Sequence, residues 1–117
     1  MPKIITKEFV DATFRVQWPH GGDDEYINVR PLGAAAIRKI ISELPNDISQ
    51  TEKGRELEIR CISEAITGWS GFVSPEGEAL PYSGDAVRHI ADHQPDVYSI
   101  LARMVATAPS IGKVTKE

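Results

Sequence analysis

The chain is poor in the features that mark several large classes of protein. Its 117 residues include one cysteine, Cys61, so neither an internal disulfide nor a multi-cysteine zinc site can form. The neighbouring Ile59 and Ile62 favour a small buried hydrophobe at this position over a reactive thiol. The longest purely apolar run, residues 34–37, is far too short to cross a bilayer, and we predict no membrane-spanning segment.

Lysine and arginine form no run anywhere in the chain. The 17 acidic residues outnumber the 13 basic ones and give a formal net charge of -4. Without a basic stripe the chain has little with which to neutralise phosphates, so nucleic acid is not an expected partner. The N-terminus also lacks the apolar stretch and cleavage site of a secretory signal, and we therefore expect a cytoplasmic protein.

Length and composition predict one globular domain over residues 1–117. A chain of this size removes roughly two thirds of its unfolded surface from water, which is enough for a hydrophobic core. Hydrophobic residues make up 41% and charged residues 26% of the sequence, as is usual for globular proteins. The ends, residues 1–8 and 109–117, are expected to be mobile.

Two alternating stretches predict an N-terminal β-hairpin. TFRVQW places Phe14, Val16 and Trp18 on one face, and EYINVR places Ile27 and Val29 together. Between them lies PHGGDDE, whose proline, glycines and aspartates favour a turn. Because two strands alone are marginal in water, the apolar face of the hairpin must pack against other elements.

Four helices are predicted to follow the hairpin, so the expected fold class is α+β and mostly helical. Ser49, with Glu52 three residues later, forms a capping-box pattern, and Ser83 is a second candidate N-cap. Pro95 is expected at the first position of the last helix, and Pro109 is expected to end it. The predicted spans are 32–44, 50–67, 84–94 and 95–108.

A search for catalytic motifs favours a protein that is not an enzyme. His89 and His93 lie four residues apart, a spacing at which two imidazoles can reach one metal ion, but HIADH lacks the glutamate of a metallopeptidase motif. We expect these histidines to be solvated or helix-end side chains. No nucleophile elbow, phosphate-binding loop or dinucleotide fingerprint is present, so no cofactor is predicted.

The most distinctive stretch is the connector, which we define as residues 67–84, TGWSGFVSPEGEALPYSG. Trp69 is predicted to continue the apolar face of the second helix, with Gly68 allowing the chain to leave helical geometry. SPEG fits a β-turn, so a small hairpin or packed loop should follow. The aromatic residues of the connector either fill the gap between two helix pairs or remain partly exposed as an apolar patch for a partner.

The run GWSGFVSPEGEALPYS, followed by a capped helix, a proline and another helix, resembles a segment of the tail assembly chaperones of long-tailed bacteriophages and prophages. In that family a Trp-x-Gly-apolar segment leads to an acidic-Gly turn, then to Leu-Pro-aromatic-Ser/Thr and a helix. The resemblance covers residues 66–106. The matching residues are Trp69, Gly71, Phe72, Glu76, Gly77, Leu80, Pro81, Tyr82 and Ser83.

The resemblance implies a non-enzymatic chaperone in the cytoplasm of a bacterial host. Its implied partner is the long helical tape measure protein, with the tail tube protein as a second candidate and self-association expected. The partner-binding residues would be Trp69, Phe72, Val73 and Tyr82. Two alternatives remain: a general protein-interaction or oligomeric adaptor module, and a small metal-dependent enzyme that uses His89 and His93.

Overall fold

The structure, a computed structural model, describes residue 4 and residues 12–115. Four helices and a four-stranded antiparallel sheet make up this part, which confirms the predicted α+β class. No helix in it is both long and apolar enough to cross a membrane. In chain order the elements are β1 (Thr13–Gln17), β2 (Tyr26–Val29), α1 (Ala34–Ser42), α2 (Gln50–Ala65), β3 (Ile66–Ser70), α3 (Gly84–His93), α4 (Pro95–Ile111) and β4 (Lys113–Thr115).

The predicted N-terminal hairpin is present as strands β1 and β2. These strands pair antiparallel, with Phe14 opposite Val29 and Val16 opposite Ile27. All four side chains are buried on one face of the sheet, as the alternating pattern predicts. β3 joins the outer edge of β2 and β4 joins the outer edge of β1, so the strand order is β3-β2-β1-β4.

Both predicted serine N-caps are confirmed. The Oγ of Ser49 accepts a hydrogen bond from the backbone N–H of Glu52, and the Oγ of Ser83 accepts one from Ala86, each at 3.1 Å. Each bond satisfies one of the amide groups that a helix leaves free in its first turn. α2 and α3 therefore begin one residue after their serine caps, where the sequence predicts.

The prediction that the second helix continues to Thr67 is wrong. α2 ends at Ala65, and Ile66–Ser70 forms β3 along the edge of β2. Trp69 therefore lies on a strand, and Gly68 is a strand residue that does not end the helix. The segment ITGWS is rich in β-branched and aromatic residues, and the open edge of β2 supplies backbone partners that outweigh the weak helical pattern.

The prediction that Pro109 ends the last helix is also wrong. α4 continues to Ile111, and the chain then forms β4 beside β1. Because Pro109 lies in the last turn, its missing N–H removes only one hydrogen bond near the helix end. Residues 109–115 were expected to belong to a mobile tail, but they form the end of α4 and the paired strand β4. Residues 116 and 117, and the expected mobile residues 1–8 apart from residue 4, lie outside the described residues.

The hydrophobic core lies between one face of the sheet and helices α2, α3 and α4. Ile27, Val29, Val87 and Leu101 have no exposed surface. The sheet face therefore has the helical cover that a marginal hairpin requires. The core cluster comprises Phe14, Val16, Ile27, Val29, Ile62, Ala65, Ile66, Val87, Ile90, Leu101, Met104 and Ala108.

Helix α1 is less buried than its amphipathic pattern indicates. Isoleucines recur along it at helical spacing, yet none of its side chains is buried and Ile41 is 49% exposed. Its main packing partner is α2, not the sheet. α1 is therefore a peripheral element that adds little to the core.

Candidate functional site: an aromatic groove

The second half of the connector forms a small hairpin, one of the two arrangements that its sequence predicts. The backbone N–H of Gly77 donates to the carbonyl of Ser74 at 2.8 Å, which closes the predicted β-turn. Val73 then pairs antiparallel with Ala79. Gly77 has a φ of +86°, a conformation that glycine adopts without steric cost. The connector therefore begins as the end of β3 and continues into a small hairpin.

Four aromatic rings hold this hairpin against the sheet. The indole of Trp69 stacks on Phe72 with centroids 4.2 Å apart and planes 2° from parallel. Tyr82 meets Trp69 edge-on at 4.9 Å, and Trp18 meets Phe72 edge-on at 5.3 Å. The Nε1–H of Trp69 donates to the carbonyl of Leu80 at 2.9 Å, so the ring also anchors the returning arm of the hairpin. Stacked and edge-to-face pairs of this kind add stability beyond the area they bury.

The turn between β1 and β2 packs directly on the connector at Gly71. This residue has a φ of +86°, and a Cβ there would lie 2.7 Å from Cγ of Glu25 and 2.8 Å from the carbonyl oxygen of Asp24. Both distances are shorter than a carbon side chain tolerates, so only glycine fits. The close approach fixes this turn, whose acidic residues are Asp23, Asp24 and Glu25, beside the aromatic rings.

Between the connector hairpin and α3 lies a groove of about 770 Å³, which we call the aromatic groove. Its walls are mainly apolar, and Val73 and Leu80 at its margin are 58% and 44% exposed. Large exposed aliphatic side chains beside packed aromatics are typical of a binding surface. The lining residues are Trp18, Glu25, Trp69, Gly71, Phe72, Val73, Ser74, Pro75, Leu80, Ala86, His89, Ile90, His93, Gln94 and Val97.

Three of the four predicted partner-binding residues, Trp69, Phe72 and Val73, line this groove, and Tyr82 does not. The half-buried phenol of Tyr82 packs against Trp69, away from the groove, and its hydroxyl donates to the carbonyl of Ser63 on α2. Burial raises the pKa of Tyr82 to about 12. Tyr82 therefore supports the groove wall and ties the connector to α2.

Sequence reasoning missed the part of the groove that comes from distant segments. Trp18 enters from the end of β1, Ile90 from α3 and Val97 from the start of α4. Of these three residues, Trp18 had been assigned to the apolar face of the N-terminal hairpin. Only the packing of α3 and α4 beside the connector shows that the three side chains meet at a surface groove.

The two histidines of HIADH lie on the α3 wall of the groove. The ring centroids of His89 and His93 are 4.5 Å apart, with planes tilted by 44°. Within residue 4 and residues 12–115, no group of three or more His, Cys, Asp or Glu side chains is placed to hold a metal ion. An ion bound by this pair would have to take its remaining ligands from solvent or from a partner.

The strongest charge cluster lies away from the groove, between α2 and α3. Glu56 has a side chain only 19% exposed and binds both Arg88 and Arg60. Hydrogen bonds from Arg88, and then from Arg60, lower the pKa of Glu56 to about 2. A second pair, Arg55 with Asp92 at 2.5 Å, joins the same two helices. These contacts fix α3, and hence the histidine wall of the groove, against α2.

The sequence predicts a buried side chain at Cys61, but the residue is only partly buried on α2 and lies outside the described core cluster. Burial raises the pKa of its thiol, which disfavours the reactive thiolate. The side chain does not line the aromatic groove. No redox or nucleophilic role is therefore assigned to this residue.

Comparisons of the chain with protein-family models, with curated proteins and with solved structures give no match. The relation to tail assembly chaperones therefore stays a prediction, carried by the motif residues of the connector.

Proposed function

We propose that this protein is a non-enzymatic tail assembly chaperone of a phage or prophage, acting in the bacterial cytoplasm. In this proposal the aromatic groove holds a helical segment of the tape measure protein and keeps that protein from aggregating. One observation carries the proposal: the motif residues Trp69 and Phe72, together with the exposed Val73, line a single apolar groove at the protein surface.

The chemistry of the groove suits the apolar face of an amphipathic helix. Such a helix presents side chains at i, i+3, i+4 and i+7, and grooves that bind it offer aromatic and aliphatic contacts in the same way. The stack of Trp69 on Phe72 and the hydrogen bond to Leu80 hold the anchor rings in place before a partner arrives. A pre-organised surface of this kind binds at a lower entropic cost.

The proposal includes self-association and, as a second candidate partner, the tail tube protein. Many copies are required to cover a long helical rod, so a chaperone of this size must act repeatedly along it. The tape measure protein remains the main partner.

Co-expression with the tape measure protein of the same gene cluster tests the proposal. We expect the tape measure protein to become soluble and to co-purify only when this chain is present. Val73→Glu places a charge in the groove and should abolish co-purification while the domain stays folded, because Val73 is 58% exposed. Ile41→Glu is the matched control, since Ile41 is also exposed but lies on α1 outside the groove. A tape measure protein that stays insoluble, or a Val73→Glu variant that binds normally, contradicts the proposal.

The adaptor alternative uses the same groove with an unrelated partner. It is distinguished by gene order, since a chaperone gene should lie between the tail tube and tape measure genes. A gene in any other setting, together with a failed co-expression experiment, favours the adaptor function.

A further inference from the structure

Charge is distributed unevenly between the walls of the aromatic groove. The connector, residues 67–84, contains two glutamates and no lysine or arginine, and residues 18–25 contain three acidic residues and again no lysine or arginine. On the opposite wall, Arg88 of α3 precedes the lining residue His89 but is paired with Glu56. The unbalanced charge beside the groove is therefore negative and belongs to the connector and the β1–β2 turn.

Carboxylates lie beside the groove on two sides. Glu25 is one of the lining residues, and Asp24 precedes it in the turn that packs on Gly71. Glu76 and Glu78 lie at the tip of the connector hairpin, whose base lines the groove, and both are exposed. No lysine or arginine is among the described lining residues.

Among the residues that the structure describes, these carboxylates have no ion-pair partner, in contrast to Glu56 and Asp92. Within the described residues, the ion pairs join Arg55 to Asp92 and both Arg60 and Arg88 to Glu56. All of them lie between or along α2 and α3. In the described part of the chain, the acidic groups beside the groove thus place negative charge without an ion-pair partner next to an apolar surface.

We propose that the occupant of the aromatic groove is a cationic amphipathic helix, with lysine or arginine flanking its apolar stripe. That the occupant is a helix rests on the proposed function; that it is basic rests on the charge distribution. The apolar stripe would fill the groove, while the flanking bases would face Glu25 on one side and the hairpin tip on the other. Charges at the rim of an interface mainly set association rate, orientation and choice of partner, and salt weakens them.

Two synthetic peptides test this inference. One is a helical peptide with leucines at i, i+3, i+4 and i+7 spacing flanked by lysines, and the other is identical except that glutamate replaces each lysine. Binding to the full chain is measured by titration calorimetry. We expect the lysine peptide to bind about tenfold more tightly in about 0.05 M salt, and the difference to fall to about twofold in about 0.5 M salt.

A charge-reversal variant links this preference to the groove. Glu76→Lys combined with Glu78→Lys should weaken binding of the lysine peptide and strengthen binding of the glutamate peptide. Asp47→Lys, in the exposed link between α1 and α2, is the control for a general charge effect and should change neither affinity by more than about twofold.

The outcomes separate this inference from the proposed function. Equal binding of the two peptides in low salt, or no binding of the lysine peptide, overturns the cationic helix even if the tape measure protein co-purifies. The inference is also overturned if Asp47→Lys changes the affinities for the two peptides as much as the double variant does. A lysine preference that the double variant removes supports the inference, and it does so even if co-expression with the tape measure protein fails and the chaperone proposal is rejected.

Discussion

A single indole, that of Trp69, joins both arms of the connector to the sheet. The ring lies on β3, stacks on Phe72 in the outgoing arm and donates its Nε1–H to Leu80 in the returning arm. Because the residue is only partly buried, the same ring also contributes to the groove wall. Sequence reasoning posed packing and binding as alternatives at this position, and the geometry allows both.

Replacing Trp69 should therefore lower stability in two separable steps. Trp69→Phe keeps a ring for the stack but loses the hydrogen bond to Leu80, and we expect a loss of about 1 kcal/mol. Trp69→Ala also removes the stacking surface, and since the residue is half-buried we expect a total loss of about 2 kcal/mol. Urea unfolding measures both values. Equal stability of Trp69→Ala and the native chain would show that the ring serves binding alone.

Glu56 makes the α2–α3 contact sensitive to acid. Its pKa is about 2 in the folded protein against an ordinary value of 4.5, so the folded state holds the carboxylate more strongly than the unfolded chain does. The resulting stability is fully present above about pH 4.5 and is lost as the pH falls towards 2. Arg88 is 40% exposed and solvent screens the pair, so we expect a contribution of about 2 kcal/mol.

Glu56→Gln should accordingly reduce stability at pH 7 and flatten its dependence on pH between about 4.5 and 2. Urea unfolding over this pH range measures the change. Asp47→Asn removes an exposed carboxylate that lies outside the three ion pairs and should leave the profile unaltered. An unchanged acid profile in Glu56→Gln would mean that another carboxylate is responsible.

At the scale of elements, the decisive feature is the abrupt change from α2 to β3. Ala65 ends the helix and Ile66 already pairs in the sheet, so no loop separates the two elements. The chain therefore leaves the sheet directly after Ser70, at the end of the edge strand β3. Gly71 follows at once and lets the acidic turn of the β1–β2 hairpin pack against it. These two features set the connector wall of the groove, and α3 with the start of α4 supplies the opposite wall.

Two glycine-to-alanine changes should have opposite effects on stability. Gly71→Ala forces a Cβ into Glu25 and the Asp24 carbonyl at a positive φ, and we expect a loss of at least about 2 kcal/mol. Gly54→Ala lies inside α2 with nothing within 4 Å of the added Cβ, and should gain about 0.5–1 kcal/mol. Thermal unfolding of both variants checks the contrast. A neutral Gly71→Ala would mean that the turn moves freely relative to the connector.

At the scale of the whole molecule, the two ends of the described chain meet in the sheet. β4 pairs with β1, with Val114 opposite Phe14. Gly112 permits this approach, since a Cβ there would lie 2.7 Å from the Ala108 carbonyl oxygen and 2.9 Å from Cβ of Phe14. The fourth strand of the sheet is therefore held by contacts between residues that are about 100 positions apart in sequence.

Removal of residues 112–117 should expose the edge of β1 and weaken the whole domain. We expect a loss of about 2 kcal/mol and more aggregation, because an unpaired edge strand can pair with other chains. Urea unfolding and size-exclusion chromatography measure the two effects. A chain that ends at Thr115 retains β4 and is the control. Identical behaviour of the two truncated chains would show that β4 contributes nothing to stability.

The sequence by itself determined the features that depend on neighbours along the chain. Strand alternation, the caps at Ser49 and Ser83, and the SPEG turn all arise from contacts within a few residues, so their patterns are readable directly. The α+β class and the identification of the connector as the distinctive segment followed from these patterns. Three of the four predicted partner-binding residues lie together for the same reason, since all three belong to one short stretch.

Only the tertiary structure decided the features that depend on what lies across space. Ile66–Ser70 forms a strand because the edge of β2 supplies backbone hydrogen-bond partners. The chain after α4 forms β4 because the edge of β1 does the same. Tyr82 was directed to Ser63, away from the groove, by the position of α2. Likewise, the β1–β2 turn with Asp24 and Glu25 packs beside the aromatic groove only because Gly71 has no side chain. Sheet pairing and side-chain packing join residues that are far apart in the chain, and no local pattern encodes which of them will meet.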